Sequence, residues 1–322
     1  MRFILILCIV IGHTFAVYSL KSAPWPLPDG ISAVPEYRWL NEVFISFALQ
    51  TFVFVSGYLM ALSENKREIT RIKFIKKKAI RLLIPTLFFG LAYLYLIDTN
   101  VHIKSIRYFI YYLINGPGHL WFLPMLFLCF VGAIYFTPRK NMSILYWLIL
   151  LGVSFMSIFM PNIARISQAC FYFIFFIEGY FFYKLKYTPY ISNNKRITLL
   201  GEVILLALII FKVCIFEYEP EHTKYLSFTA KLLLGLFGAP YLLFICRRLK
   251  KYETLCLIGT WNGFMGVYIF HQFILRYLLY QTQFLNHINP YLYPILLFII
   301  TMVLSIGLTL VFMNNRWLKR FI

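Results

Sequence analysis

The chain alternates between long apolar runs and short polar stretches over almost its whole length. A helix that crosses a bilayer needs about 20 predominantly apolar residues, so each run is long enough for one crossing. Ten such segments can be placed, at residues 3–20, 41–62, 80–97, 118–136, 144–160, 168–184, 198–216, 227–246, 263–282 and 291–313. The pattern predicts an all-α polytopic membrane protein with about ten transmembrane helices.

Composition excludes a soluble protein. Of the 322 residues, 61% are hydrophobic and 13% are charged, whereas soluble domains carry roughly 25% charged residues. A soluble fold of this composition would expose large apolar patches, which drive association in water. The sequence contains no low-complexity tail and no soluble stretch, so residues 1–322 are predicted to form a single integral membrane domain.

Positive charge is unevenly distributed among the predicted loops. The formal net charge of +19 can indicate nucleic-acid binding, but the cations cluster in short loops between apolar runs. If successive loops alternate sides, 22 of the 31 Lys and Arg residues fall on one side, together with both termini. The positive-inside rule places that side in the cytoplasm, and no nucleic-acid partner is expected.

Two stretches need separate treatment. Residues 103–115 are too short and too amphipathic for a crossing, and we predict that they lie along the outer interface or re-enter the membrane. The first 20 residues are not followed by a clear small-residue cleavage site, so we interpret them as a retained first helix and not as a signal peptide.

The first apolar segment carries a cation at its start and an imidazole in its middle. Arg2 and His13 are eleven residues apart, which at about 100° per residue places both on one helix face. His13 then lies about 16 Å further along the axis. A neutral imidazole can act as a general base, and a guanidinium at a membrane boundary suits a phosphorylated ligand. The alternative for His13 is a structural hydrogen bond across a helix interface.

A basic run separates the second and third predicted helices. It contains eight cations, namely Lys66, Arg67, Arg71, Lys73, Lys76, Lys77, Lys78 and Arg81. The run fits either attraction to anionic lipid or an electropositive mouth for an anionic cofactor. Before it, Ser56 and Gly57 offer a hydroxyl and a close backbone approach, or serve only tight helix packing. After it, Pro85 is expected to kink or open the next helix.

Two pairs of polar and aromatic residues occur in later segments. His119 and Trp121 follow a Gly-Pro-Gly turn at the outer start of segment 118–136. They either belong to an interfacial aromatic belt or line the entry of an acceptor. Tyr268 and His271 are three residues apart and therefore share one face of segment 263–282.

Charged residues inside apolar segments are costly and are therefore functional candidates. Glu178 is a carboxylate centred in a predicted span, so we expect it to pair with a cation or an imidazole. The possible partners are Arg276, Lys231 and His13. Lys212 and Glu202 lie nearer to span ends, where snorkelling of the side chain to the interface explains them.

Several common catalytic motifs are missing from the sequence, including the Walker A, GxGxxG, HExxH and GxSxG patterns. No pair of Cys or His residues has the spacing of metal ligands, so no metal is predicted. The two halves of the chain also lack the matching broken helices that are typical of many transporters.

The sequence resembles the acyltransferase 3 family of bacterial membrane acyltransferases in five elements that occur in order: Arg2-x10-His13, FVFVSGYLM, KKKAIRLLIP, HLWFL and VYIFHQ. Their order and approximate spacing match over nearly the whole chain, which looks closest to the fucose-4-O-acetylase-like branch. Members of the family have ten core spans. They transfer acetyl, succinyl or another acyl group from cytoplasmic acyl-CoA to extracytoplasmic glycans or other acceptors.

The resemblance assigns roles to the cationic and imidazole residues. His13 matches the family's essential histidine, Arg2 its paired arginine, and Arg81 the arginine ahead of its proline. Family members usually carry a short acidic-containing lead before the paired arginine, which is missing here or lies upstream of Met1. Glu178 matches no element of the family.

Other family elements match in the same way. Ser56 and Gly57 correspond to a Ser-Gly element, and Trp121 corresponds to the tryptophan that follows the third span. Tyr268 and His271 correspond to a Tyr-x-x-His element.

The resemblance thus implies an integral O-acyltransferase of the bacterial inner membrane, with acetyl as the expected group. Acetyl-CoA, or another acyl-CoA such as succinyl-CoA, would be the donor, and the acceptor would be a hydroxyl of an extracytoplasmic cell-envelope carbohydrate. Catalysis is expected at His13, and the donor is expected to bind at Arg2, Ser56, Lys77, Lys78 and Arg81. The acceptor side is expected at His119, Trp121, Glu178, Tyr268 and His271. The alternatives are a transporter of a lipid-linked glycan or small anionic solute, and a non-catalytic membrane scaffold.

Overall fold

A computed structural model describes residues 1–18, 32, 34–37, 39–45, 47–64, 70–97, 105–138, 143–186, 195–216, 220–249, 263–282 and 288–321. These residues form α-helices joined by turns and short 3-10 helices, and none of them lies in a β-strand. The predicted all-α class is confirmed. Parts of the predicted loops lie outside the described residues, including 19–31, 65–69, 139–142, 217–219 and 250–262.

The helices, numbered here in chain order, are α1 (Arg2–Phe15), α2 (Leu40–Ile45), α3 (Ala48–Glu64), α4 (Arg71–Leu96), α5 (Ile106–Asn115), α6 (Phe122–Phe136), α7 (Ile144–Met156), α8 (Ile166–Lys184), α9 (Lys195–Phe216), α10 (Pro220–Leu249), α11 (Phe264–Tyr280) and α12 (Tyr293–Asn314). Short 3-10 helices cover Ala16–Tyr18, Pro35–Tyr37, Gly118–Trp121 and Leu318–Phe321. Apolar runs become helices because a helix satisfies its backbone hydrogen bonds within one segment, as the membrane interior requires.

Six helical segments of the described chain are long and apolar enough to cross a membrane: Pro35–Glu64, Arg71–Leu96, Gly118–Phe136, Ile166–Lys184, Thr223–Cys246 and Tyr293–Asn314. Helices α1 and α7 are apolar but shorter. Each of the ten predicted segments overlaps a helix, so the hydropathy pattern locates the helices correctly. That ten of them cross the membrane, with both termini in the cytoplasm, stays a prediction.

The structure corrects three details of the predicted segments. Segment 41–62 is divided into α2 and α3. From Arg71 onward the basic run is not a loop but the first turns of α4, because Lys and Arg are good helix formers although they are polar. Pro85 does not open α4, which continues to Leu96. Directly after Pro85, the hydroxyl of Thr86 donates a hydrogen bond of 2.7 Å to the carbonyl oxygen of Leu82.

The chain divides into two compact units, and the boundary falls within α3. Unit 1 contains Met1–Phe52 and Tyr187–Asn314, and unit 2 contains Val53–Lys186 and Asn315–Ile322. In unit 1, α1 packs against α2, α11 and α12, and α9 packs against α10. In unit 2, α6 packs against α4 and α8, and α7 packs against α8. A single membrane domain over the whole chain stays a prediction.

An apolar cluster in unit 1 follows the C-terminal end of α1. Its buried members are Ala16, Val17, Val34, Leu275, Leu279, Tyr293 and Leu297. The cluster joins the end of α1 to α11 and α12 by burial of apolar surface. It thereby holds α1, which carries Arg2 and His13, beside α11, which carries Tyr268 and His271.

Candidate active site

The predicted site residues are distributed over both units. Unit 1 contains Arg2, His13, Tyr268 and His271. Unit 2 contains Ser56, Lys77, Lys78, Arg81, His119, Trp121 and Glu178.

Two imidazoles stack on each other in unit 1. The ring centroids of His13, on α1, and His271, on α11, are 5.3 Å apart, and the ring planes are inclined by 28°. His271 is completely buried, whereas His13 remains partly exposed. His13 is therefore the more accessible ring of the pair. Beside it, a Cβ atom on Gly12 would overlap the side chain of Ile45, so this glycine lets α2 approach α1.

The buried ring of His271 has a defined tautomer. Its Nδ1 lies 2.6 Å from the carbonyl oxygen of Tyr268 and 3.3 Å from that of Val267. Because a carbonyl oxygen only accepts hydrogen bonds, Nδ1 carries the proton, and Nε2 of the neutral ring presents a lone pair. The Tyr268 ring lies 5.8 Å from the His271 ring, so these two residues are neighbours, as their spacing predicts.

Gln272 contacts the other imidazole. Its Nε2 lies 3.4 Å from Nε2 of His13, and the side chain is buried. A terminal amide can turn either its N–H or its oxygen toward a ring nitrogen. Gln272 can therefore donate to a lone pair of His13 or accept its N–H, and in both cases it orients the ring.

Arg2 is the first residue of α1, which is continuous from Arg2 to Phe15. The shared helix that the spacing of Arg2 and His13 requires is therefore present, and the axial separation of about 16 Å follows from the rise per residue. The side chain of Arg2 is partly exposed. A cation thus lies at the N-terminal end of the helix that carries His13.

Lys212 is buried and has an acidic partner, so the snorkelling interpretation is wrong for this residue. Its Nζ lies 3.0 Å from the Oε2 carboxylate oxygen of Glu42, on α2, and the side chain is 4% exposed. The ammonium also donates a hydrogen bond of 3.1 Å to the hydroxyl of Ser227, on α10. Glu202, by contrast, accepts a hydrogen bond of 2.7 Å from the hydroxyl of Tyr241 in an exposed position. The buried charge of Lys212 is therefore paired.

The basic side chains of α4, in unit 2, point in different directions. The ammonium of Lys78 lies 3.7 Å from the centroid of the Phe130 ring and 5.2 Å from that of Phe74. A cation over an aromatic face is attracted by the ring quadrupole. Lys77 and Arg81 are exposed instead. Of these three predicted donor ligands, Lys78 is directed into the protein by its aromatic contacts.

His119 and Trp121 lie in a tight turn between α5 and α6. Gly116 and Gly118 have φ angles of 69° and 52°, a region that favours glycine. His119 is buried, and its ring centroid lies 6.2 Å from that of Tyr93, on α4. The turn therefore holds the buried imidazole of His119 next to the aromatic ring of Tyr93.

Arg165 holds this turn from the start of α8. Its Nε donates to the carbonyl oxygen of Asn115, and its Nη2 donates to that of Gly116 at 3.3 Å. The guanidinium also lies 5.9 Å from the centroid of the Trp121 ring. Burial lowers the pKa of Arg165. The contact places the turn between α5 and α6 beside the start of α8.

Glu178 does not have the partner that we expected. Its Oε2 is buried and has no hydrogen-bond partner among the described residues. The neighbouring Gly179 packs directly against the backbone of Phe54, on α3, where an added Cβ would overlap the carbonyl oxygen. Gly57 packs in the same way against the carbonyl oxygen of Phe176, on α8. This supports helix packing as the role of Gly57, beside the half-buried Ser56.

A model of the acyltransferase 3 family, described as an acyltransferase domain, matches residues 1–313. The chain belongs to the acyltransferase 3 family. No curated protein and no solved structure matches it. Together with the six apolar helices, family membership identifies the protein as a membrane acyltransferase.

Two residues of this family member were not singled out by the sequence reasoning, although both contact predicted site residues. Gln272 follows His271 directly within a helix, and an amide in an apolar segment is itself a signal. Arg165 is the cation in the short break between predicted segments 144–160 and 168–184. Their roles depend on partners that are distant in sequence, which explains why spacing alone did not reveal them.

Proposed function

We propose that the protein is a membrane O-acyltransferase that moves an acyl group from cytoplasmic acyl-CoA to a hydroxyl of an extracytoplasmic cell-envelope glycan. Acetyl-CoA is the proposed donor, with succinyl-CoA as the second acyl-CoA to test. The proposal includes the bacterial inner membrane and the fucose-4-O-acetylase-like branch. It is carried by one observation, the stacked His13–His271 pair in contact with Gln272 in a member of an acyltransferase family.

His13 is the proposed general base. Its ring takes the proton of the acceptor hydroxyl while that oxygen attacks the thioester carbonyl carbon and forms the new C–O bond. The C–S bond breaks, the CoA thiolate leaves, and the imidazolium returns the proton to the thiolate sulfur. The acceptor proton therefore ends on the CoA thiol, and the reaction needs no oxidant.

His271 and Gln272 are proposed as positioning residues. The tautomer of His271 is held by the carbonyl oxygen of Tyr268, and its ring covers one face of His13. The amide oxygen of Gln272 can accept the N–H of His13, which orients the ring and stabilises the imidazolium as it forms. This is the role of the third group in nucleophile–base–orienter arrangements.

The donor and acceptor sides are proposed from charge and aromatic surface. Arg2 suits the phosphates of the acyl donor, because its distance of about 16 Å along α1 from His13 is comparable to much of an extended pantetheine arm. Arg81, exposed on α4, is a second candidate for the phosphates. The turn with His119 and Trp121 is the proposed acceptor side: Trp121 is partly exposed and offers aromatic surface to a sugar ring, whereas His119 is buried.

The test is transfer of a labelled acetyl group from acetyl-CoA to envelope glycan by membranes that contain His13→Ala. We expect kcat to fall by about 10²–10⁴, the usual contribution of a general base. Cys8→Ser is the matched control, because Cys8 lies on α1 about 140° around the helix from His13. The proposal fails if His13→Ala elutes as folded protein in detergent and still transfers the group at the wild-type rate.

A second experiment separates direct transfer from a covalent route through an acyl-imidazole. The purified enzyme is mixed with acetyl-CoA without acceptor, and free CoA is measured. Direct transfer releases no CoA under these conditions. Release of one equivalent of CoA in the wild type, and none in His13→Ala, would replace the general-base role by a nucleophilic one.

A further inference from the structure

One face of α4 is exposed along the whole helix. The exposed residues recur at spacings of three or four, which places them on a single stripe. The exposed stripe consists of Lys73, Lys77, Ile80, Ile84, Phe88, Leu91 and Tyr95. Ile80, Ile84 and Leu91 are 47%, 40% and 45% exposed. Leu82 and Tyr93 lie on the opposite, buried face.

The length of α4 fixes the depth of the two lysines. Its 26 residues span about 39 Å, which exceeds the hydrocarbon thickness of about 30 Å by about 9 Å. The C-terminal part of the helix is apolar up to Leu96, so the excess lies at the cationic end. Lys73 and Lys77 therefore lie at headgroup depth, on the face whose apolar continuation meets acyl chains.

The adjacent lysine is directed differently. Lys78 is turned by about 100° from Lys77 around the helix, and its ammonium lies over the ring of Phe130, on α6. Lys77 and Lys78 thus carry the same charge at nearly the same depth on different faces of one helix.

We propose that Lys73 and Lys77 form a docking surface for the phosphate groups of anionic lipid headgroups and do not hold the acyl donor. Charge complementarity selects this occupant, because basic residues at the membrane surface attract anionic lipid. The apolar part of the exposed stripe continues directly from its cationic part. This favours a phospholipid as well, because its acyl chains match the apolar part and its phosphate matches the cationic part. A soluble phosphate compound matches only the cationic part. The inference is independent of the proposed function.

The test compares Lys77→Gln with Lys78→Gln, which remove the same charge from the same turn. The purified full-length protein is titrated with phosphatidylglycerol or phosphatidylcholine, and bound lipid is counted by native mass spectrometry. Lys77→Gln should lower the preference for phosphatidylglycerol about fivefold, and Lys73→Gln/Lys77→Gln about 25-fold. Lys78→Gln should leave the preference unchanged.

Each other occupant has its own outcome. An unchanged lipid preference in Lys77→Gln, with a raised KM for acetyl-CoA in phosphatidylcholine nanodiscs, would assign Lys77 to the donor and overturn the proposal. Loss of an oligomer in the mass spectrum, with lipid binding unchanged, would assign the stripe to a second copy of the chain. An equal loss of lipid preference in Lys77→Gln and Lys78→Gln would show that total charge matters and not the stripe.

Discussion

Removing either member of the Glu42–Lys212 ion pair should destabilise the protein, and Glu42→Gln should have the larger effect. The two charged groups are 3.0 Å apart, and the side chains of Lys212 and Glu42 are 4% and 17% exposed. Breaking a buried pair by removing one partner leaves an uncompensated charge in a poorly hydrated place. The size of the effect therefore depends on which charge remains and on how well it is hydrated.

The two variants leave different charges behind. Breaking a buried pair costs about 3–5 kcal/mol. Lys212→Met leaves Glu42, which keeps some contact with solvent, so a loss near the lower end of that range is expected. Glu42→Gln leaves the more deeply buried Lys212, whose ammonium then has no carboxylate to offset the repulsion from the cation of Lys231. A loss near the upper end is expected, although the hydrogen bond to Ser227 can remain.

The assay is thermal unfolding in detergent at a fixed scan rate, because membrane proteins commonly unfold irreversibly. The apparent Tm should fall more for Glu42→Gln than for Lys212→Met. The double variant Lys212→Met/Glu42→Gln should be more stable than either single variant, since it leaves no uncompensated charge behind. Additive losses in the double variant, or a wild-type Tm for Lys212→Met, would refute the reasoning.

Two further predictions concern helix packing and the imidazole pair. Gly179→Ala should lower the free energy of unfolding by about 1–3 kcal/mol, because the new methyl group overlaps the backbone of α3. The control Gly152→Ala should be neutral or stabilising, because an added Cβ there meets nothing within 4 Å. Equal Tm values of the two variants in detergent would contradict this account. Gln272→Ala should lower kcat about 10- to 100-fold at unchanged KM, because a hydrogen bond to a charged imidazolium contributes about 1.5–3 kcal/mol. Gln272→Glu should recover part of kcat, and a variant series that changes only KM would contradict the positioning role.

Much of the architecture follows from local sequence. The run at 118–136 coincides with the 3-10 helix Gly118–Trp121 and α6, because apolar segments in a membrane must satisfy their backbone groups internally. The shared helix of Arg2 and His13 was predictable for the same reason, since spacing on a helix is a local property. The start of α4 was missed, because hydropathy scores lysines as polar while helix propensity favours them.

The sequence by itself thus determined the helical class, the helix positions and the family elements, including the candidate His13. Only the tertiary structure decided which side chains meet. The contact of Gln272 with His13 and the pairing of Lys212 with Glu42 join residues far apart in the chain. The physical reason is that hydropathy and helix periodicity depend on neighbours within a few turns, whereas stacking and ion pairing depend on which helices pack together.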